Sequence, residues 1–218
     1  MTATMRLLCR VVLGSKFTVT GIENLPGAGP LIVCSNHVSV LDTALIPAIL
    51  RRKAWSMAKA EAFRGPVGPV IRQYGAFPVN RHRPDRRALA QATKVLAGGE
   101  ILVLYPEGHR SPDASLQRAE RGVGYLIRRA GVAVLPIALQ GTQNCLPVGS
   151  RLPRRAPVRV VVGRPFQIEI GGRDPSPGEY LDIADLVMFS IAELLPEHLR
   201  GVYASVPPVD LMRRRRVA

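Results

Sequence analysis

A histidine and an aspartate five residues apart form the first pair in this 218-residue chain that could do acid–base chemistry. His37 follows the apolar run Leu31–Cys34, and Asp42 ends the segment NHVSVLD at 36–42. The carboxylate can hold one ring nitrogen of the histidine and leave the other free to take a proton. Because no serine or cysteine beside the pair is an obvious covalent nucleophile, the pattern favours direct deprotonation of a substrate hydroxyl.

The spacing by itself is a weak signal, since four histidines and seven aspartates give roughly a one-in-eight chance of such a match. His82 and His109 also have acidic neighbours, at other spacings and in loops rich in arginine and proline. We interpret both as solvated loop residues, so support for His37 must come from elsewhere in the chain.

Two arginines follow predicted strands and are candidate phosphate ligands. Arg81 ends the segment GAFPVNR at 75–81, and Arg110 lies in YPEGHRS at 105–111. Guanidinium groups bind phosphate through paired hydrogen bonds, and Gly108 would let the backbone approach a ligand closely. A fourth segment, VLPIALQG at 134–141, is predicted as a core strand without chemistry of its own.

The elements that must position these residues alternate between strand and helix. The predicted strands are Lys16–Gly21, Leu31–Cys34, Ala54–Ala58, Ala76–Val79, Ile101–Tyr105, Val132–Leu139, Val158–Val162 and Phe166–Ile170. The predicted helices are Leu41–Leu50, Pro66–Tyr74, Asp85–Leu96, Glu120–Ala130 and Glu179–Leu195. Pro136 is expected to break its strand. The alternation predicts a single α/β domain with a central mixed, largely parallel sheet flanked by helices, in which sites form at the carboxyl ends of strands.

Composition narrows the function classes. Apolar residues make up 47% and charged residues 21%, as in ordinary globular proteins. The net charge of +14, mostly from arginine, points to nucleic acid, an anionic membrane surface, or phosphorylated substrates and acidic carriers. Aromatic content of 5% offers few stacking platforms, so we expect no nucleic-acid partner. Three separated cysteines predict a reduced, cytosolic setting, and the sequence predicts no metal site.

Taken in order, the segments containing His37, Arg81, Arg110 and Pro136 resemble the four motifs of the glycerolipid acyltransferases. Among these the bacterial 1-acyl-sn-glycerol-3-phosphate acyltransferases (lysophosphatidate acyltransferases) are the most similar. Each motif alone is weak to moderate, but the ordered set is strong. The resemblance covers about residues 16 to 170.

The resemblance implies a reaction and roles for the first motif. His37 would be the general base and Asp42 its orienting carboxylate. The enzyme would transfer an acyl group from acyl-CoA or acyl carrier protein to the free hydroxyl of 1-acylglycerol-3-phosphate. The product would be phosphatidic acid, made in phospholipid biosynthesis. The thioester is a co-substrate, and no cofactor is expected.

The resemblance also implies residues that bind the acceptor. Arg81 and Arg110 would hold its phosphate. The substrate-binding set expected from the motifs is Asn36, Lys59, Arg81, Glu107, Gly108, Arg110 and Ser111. One departure from the family pattern is His109, which stands where the third motif usually has threonine.

Three regions are predicted: a short amphipathic membrane-surface segment at 1–15, the acyltransferase domain at 16–200, and a basic tail at 201–218. No segment is predicted to span a membrane. The apolar cluster at 7–13 and the arginines at 213–216 favour peripheral or monotopic attachment to the anionic cytoplasmic face of the cell membrane. The expected partners are lysophosphatidate, an acyl thioester, that membrane surface and acyl carrier protein.

Two alternatives stay open on the sequence. The acceptor could be another lyso-lipid, such as a lyso-ornithine lipid, although Arg81 and Arg110 favour a phosphate. A non-catalytic basic membrane-binding protein would explain the charge, but it leaves the pairing of His37 with Asp42 and the segment around Glu107 unexplained.

Overall fold

Nine strands form one sheet in the part of the chain that the computed structural model describes, which is residues 17–65, 68–80, 85–147, 150, 152, 154–168, 176–205 and 214–216. The strands are β1 (Phe17–Thr20), β2 (Leu31–Ser35), β3 (Ala54–Lys59), β4 (Ala76–Val79), β5 (Ile101–Leu104), β6 (Ala133–Gln140), β7 (Val158–Val162), β8 (Phe166–Ile168) and β9 (Arg214–Arg216).

Helices connect most of these strands. The α-helices are α1 (Asp42–Ile49), α2 (Gly68–Gln73), α3 (Arg86–Ala97), α4 (Arg121–Ala130), α5 (Thr142–Cys145) and α6 (Pro177–Ala192). Short 3-10 helices cover Ile22–Asn24, Ala60–Phe63, Glu197–Leu199 and Gly201–Tyr203. The predicted elements agree with these bounds within a few residues, and the α/β class is confirmed.

The sheet is mixed but largely parallel, in the order β1-β7-β6-β2-β5-β3-β4. From β6 to β4 all neighbours are parallel. Strand β7 runs antiparallel to β6, while β8 pairs antiparallel with β6 and with β9. The carboxyl ends of β6, β2, β5, β3 and β4 therefore meet at one edge of the sheet, where a site is expected.

The core lies on both faces of the sheet, because the central strands are buried on both sides. In β2, Leu31 and Val33 pack on the side of α1, whereas Ile32 and Cys34 pack toward α3, α4 and α6. Continuous burial of this kind is the usual pattern of a parallel strand covered by helices on both faces. It leaves the strand ends as the places where polar side chains can emerge.

The expected break at Pro136 is wrong: β6 runs through it from Ala133 to Gln140. On one side Pro136 is in register with Cys34 of β2. On its other side β6 pairs with two strands in turn. Val134 lies opposite Phe166 of β8, and Ile137 lies opposite Val162 of β7. A proline lacks a ladder N–H, so it fits where the ladder is interrupted.

Regions at the two termini are described only in part. The predicted membrane-surface segment at 1–15 lies outside the described residues, as does Arg213. Arg214–Arg216 form β9 beside β8, and Tyr203 is buried against the core. The division into three regions therefore stays a prediction. Among the described residues, no helix is both long and apolar enough to cross a lipid bilayer.

Candidate active site

The turn that follows β2 is anchored to β6 by Asn36. Its Nδ2 donates to the carbonyl oxygen of Leu139 at 2.9 Å, and the Leu139 N–H donates to its Oδ1 at 2.7 Å. The side chain extends the pairing of β2 with β6 by one residue and is 1% exposed. The sequence predicts that Asn36 binds substrate. In the structure both polar atoms of its amide are bonded to the backbone of Leu139, which fixes the start of the turn.

His37 and Asp42 are in direct contact, as the spacing predicts. Nδ1 of His37 lies 2.9 Å from Oδ2 of Asp42, which also accepts the N–H groups of Val38 and Ser39 at 2.7 Å each. Asp42 is fully buried and His37 is 9% exposed. Because the carboxylate only accepts here, Nδ1 carries the proton and Nε2 is left as the basic nitrogen. Nε2 has no hydrogen-bond partner among the described residues.

The second oxygen of Asp42 is held by a residue that sequence reasoning missed. Oγ1 of Thr142 donates to Oδ1 at 2.6 Å. Thr142 begins α5 directly after β6, and it is buried. A hydroxyl residue just beyond a strand end was the available signal, but it becomes meaningful only once β6 is known to lie beside β2.

The imidazole of His37 is stacked on the ring of Tyr105, with centroids 4.2 Å apart and planes inclined by 26°. Tyr105 directly follows β5, and its role was also missed. Its hydroxyl is buried and has no hydrogen-bond partner among the described residues. Burial, and next the charge of Asp42, raise the pKa of Tyr105 well above its ordinary value. The ring therefore packs against the imidazole as a flat, neutral surface.

Glu107 is a second buried carboxyl beside the histidine. Its Oε1 accepts the backbone N–H of His37 at 2.9 Å, and its Oε2 accepts the N–H of Gln117 at 3.0 Å. The side chain is fully buried. The pKa of Glu107 is raised to about 7, mainly by burial; the two backbone N–H groups oppose the rise, and the charges of Asp42 and Asp113 add to it.

The loop that contains Glu107 also holds the carbonyl of His37. The N–H of Ser111 donates to that oxygen at 2.7 Å, and Oγ of Ser111 donates to the carbonyl of Ser115 at 2.7 Å and to Oδ1 of Asp113 at 3.0 Å. Gly108 has a φ of +69°, and a Cβ there would come within 2.9 Å of Glu120 Cγ. Both peptide groups of His37 are thus bound to one loop, whose tight turn requires glycine.

Of the predicted phosphate ligands, Arg110 and Lys59 are among the described residues and Arg81 is not. Arg110 is exposed, and the peptide that joins it to Ser111 donates to His37, so its backbone lies next to the imidazole residue. Lys59 ends β3, two strands from β2, and is exposed. His109 is exposed beside Arg110. Arg81 lies outside the described residues, immediately after Asn80.

The arrangement presents one basic nitrogen at the sheet edge, beside a loop that carries an exposed guanidinium. Among the described residues, no three histidine, cysteine, aspartate or glutamate side chains are grouped so that they could hold a metal. What the residues themselves can do is remove a proton from a hydroxyl next to a bound anion.

Comparison with known proteins agrees with this chemistry. A family model described as Acyltransferase matches residues 16–140. The chloroplastic 1-acyl-sn-glycerol-3-phosphate acyltransferase LPAT1 of Arabidopsis thaliana is 32% identical over 156 residues, covering 69% of this chain and 44% of that protein. The 1-acyl-sn-glycerol-3-phosphate acyltransferase of Bacillus subtilis (strain 168) is 28% identical over 147 residues, covering 66% of this chain and 70% of its own.

A solved structure is similar over most of the chain. It is the crystal structure of the 1-acyl-sn-glycerophosphate (LPA) acyltransferase PlsC from Thermotoga maritima, with a TM-score of 0.70 and 26% identity. The match covers 88% of this chain and 77% of that one. The chain spans about half the length of the first curated relatives it matches, from 44% to 57%.

Proposed function

Because the chain belongs to the Acyltransferase family, we propose that it transfers an acyl group from an acyl thioester to the free hydroxyl of 1-acylglycerol-3-phosphate. The observation that carries the proposal is the contact of His37 with Asp42 beside the loop that contains Arg110. The relatives are named for this reaction, and His37 would supply the base that the reaction needs.

In the proposed mechanism, Nε2 of His37 takes the proton of the acceptor hydroxyl as its oxygen attacks the thioester carbonyl carbon. The tetrahedral intermediate then expels the thiolate, which receives that proton from His37. Asp42 holds the Nδ1 proton and stabilises the imidazolium between the two steps. A positioned base of this kind contributes about 10²–10⁴-fold in rate, and proximity of the two bound substrates supplies much of the rest.

The acceptor phosphate is proposed to bind Arg110, together with Arg81 and Lys59. A guanidinium fork matches a phosphate with two parallel hydrogen bonds. Arg110 supports this best, because the loop that carries it is bonded to His37 through Ser111. A phosphate anchored there would bring the neighbouring glycerol hydroxyl toward the imidazole.

The donor is proposed to be acyl-CoA or acyl-acyl carrier protein, acting as a co-substrate with no further cofactor. We also propose that the protein acts at the anionic cytoplasmic face of the cell membrane. The net charge of +14 supports this placement, since each lysine or arginine near such a surface contributes roughly 1 kcal/mol. An acidic carrier protein would be attracted by the same charge.

A transfer assay that pairs labelled acyl-CoA and acyl-acyl carrier protein with a panel of lyso-lipids tests the proposal. We expect transfer to 1-acylglycerol-3-phosphate, and a loss of roughly 10²–10⁴-fold in His37→Ala. His198→Ala is the matched control, because His198 lies in the 3-10 helix Glu197–Leu199 and belongs to none of the segments that supply the candidate site residues. Binding to anionic vesicles should persist in both variants. A wild-type protein that binds vesicles but transfers no acyl group from either donor would instead be a non-catalytic membrane-binding protein.

A further inference from the structure

The hydrogen bonds and the burial of Glu107 are not those expected of a residue that binds a phosphate. Both of its oxygens accept backbone N–H groups, from His37 at 2.9 Å and from Gln117 at 3.0 Å, and the side chain is fully buried. A carboxylate also carries the wrong charge for a phosphate pocket. Its contacts therefore point toward the histidine and not toward the acceptor.

The two bonds join segments that are far apart in the chain. The bond to His37 spans 70 residues, whereas the bond to Gln117 spans 10. Within the same loop, Ser111 donates to the carbonyl of His37 at 2.7 Å. The N–H of His37 is thus bonded to the side chain of Glu107, and its C=O to the backbone of Ser111. The loop therefore determines where the Cα of His37 lies.

The position of Cα matters because, among the described residues, the side chain of His37 has two further contacts that hold it. Nδ1 is held by Asp42 and one face is covered by Tyr105. Shifting the peptide would tilt the ring and move Nε2 relative to the bound hydroxyl. Misplacement of a reacting group by about 1 Å can cost roughly 10²-fold in rate.

We infer that Glu107 is a positioning residue, which holds the peptide of His37 and aligns its imidazole with the acceptor hydroxyl. The expected effect on reaction rate rests on the function proposed above, whereas the hydrogen bond between Glu107 and the N–H of His37 does not. An ionised carboxylate is the best acceptor for two N–H groups at once, because hydrogen bonds to a charged acceptor are shorter and stronger than neutral ones.

Glu107→Gln tests the inference with little change in shape. The glutamine amide offers one oxygen and one NH₂ group, so it can accept only one of the two N–H groups. Glu120→Gln is the matched control: Glu120 is an exposed carboxylate beside Gly108 of the same loop, and its side chain is not among the described hydrogen-bond partners of His37. Steady-state kinetics with varied acceptor separates kcat from KM for both variants.

We expect kcat of Glu107→Gln to fall roughly 10- to 100-fold, with the KM for the acceptor within about twofold of the wild type. Glu120→Gln should match the wild type in both constants. The inference is overturned if Glu107→Gln raises the acceptor KM and keeps kcat, since that result would place Glu107 in the phosphate pocket.

A second measurement needs no active enzyme and no variant that must fold. Two-dimensional ¹⁵N–¹H spectra of the wild type would follow the amides of His37 and Gln117 between pH 5 and 9. Because both donate to one carboxyl group whose pKa burial raises to about 7, we expect both amide protons to move with a shared midpoint near that pH. A Gln117 amide that does not move, or that moves with a different midpoint, would contradict the bridge.

Discussion

Thr142 and Asp42 are 100 residues apart in the chain, and their side-chain oxygens are 2.6 Å apart in space. With this bond, each carboxylate oxygen of Asp42 has a donor: Oδ2 faces His37 and two backbone N–H groups, and Oδ1 faces Thr142. The orientation of a fully buried carboxylate is set by such donors. Thr142 therefore helps to determine how Asp42 presents its other oxygen to the imidazole.

Replacing Thr142 with valine keeps the branched shape and removes the hydroxyl. Oδ1 of Asp42 would then be buried with no donor among the described residues, which costs about 1–3 kcal/mol. We expect the free energy of unfolding to fall by about 2 kcal/mol, and kcat to fall about tenfold as the carboxylate loses its orientation. Urea denaturation and steady-state kinetics measure the two effects.

Thr142→Ser is the control, because it restores the hydroxyl but not the methyl group. It should recover most of kcat while keeping part of the stability loss. If Thr142→Ser loses as much rate as Thr142→Val, then packing by the methyl group matters and the hydrogen bond to Asp42 does not.

The hydroxyl of Tyr105 is expected to destabilise the fold. It is buried beside apolar side chains and has no hydrogen-bond partner in the described part of the chain. Tyr105→Phe removes the unsatisfied group and keeps the ring that stacks on His37. We expect the free energy of unfolding to rise by about 1 kcal/mol, with kcat within about twofold of the wild type.

Tyr105→Leu is the contrasting variant, since it loses the flat surface under the imidazole. Its kcat should fall below that of Tyr105→Phe at equal acceptor KM. A tenfold loss of rate in Tyr105→Phe would show that the phenol takes part in the reaction, and that its apparent isolation ends when substrate binds.

Glu107 should make stability depend on pH in the direction opposite to most carboxylates. Its pKa is raised from 4.5 to about 7 in the folded protein, so the folded state binds more protons than the unfolded state between those values. Stability from this group is therefore greatest below about pH 4.5 and declines as the pH rises to about 7, by a total of about 3 kcal/mol.

Urea denaturation of the wild type and Glu107→Gln at pH 5 and pH 8 measures this dependence. Because other ionisable groups contribute equally to both proteins, only the difference between them is compared. We expect the variant to gain stability relative to the wild type as the pH rises. A difference that is the same at both pH values would mean that the carboxyl of Glu107 titrates normally in the fold.

Much of the fold could be predicted because the signals are local. Strands such as Val158–Val162 and Ala76–Val79 are bounded by turn residues. The helix Arg86–Ala97 is preceded by its capping residue Asp85, whose side chain accepts the N–H groups of Arg87 and Ala88. Strand order is not local. It depends on which faces pack together, and the sequence shows only that strands alternate with helices.

The same distinction separates the parts of the site. The pairing of His37 with Asp42 could be predicted since it spans five residues within one turn. The contacts of Thr142 and Tyr105 could not, because they exist only when β6 and β5 flank β2. For Glu107 the resemblance to a family predicted a place near the substrate, whereas its hydrogen-bond partners are identified only in the folded structure.

Arg110 provides the sharpest test of what the acceptor carries. If it binds the phosphate, Arg110→Gln should raise the KM for 1-acylglycerol-3-phosphate roughly 10- to 100-fold, as expected for loss of a charge-assisted bond worth about 1.5–3 kcal/mol. Arg110→Lys keeps the charge but loses the fork, so its KM should be intermediate.

A second acceptor and a control variant complete the test of Arg110. Neither Arg110 variant should change the KM for a lyso-ornithine lipid, which has no phosphate for the guanidinium to bind. Arg118→Gln is the matched control, because Arg118 is also exposed and lies just beyond Gln117. It should leave both KM values unchanged, since loss of one surface charge alters only the long-range field, which salt screens over about 8–10 Å. Equal increases in KM for both acceptors in Arg110→Gln would mean that Arg110 acts on loop structure or on the membrane surface and not on the phosphate.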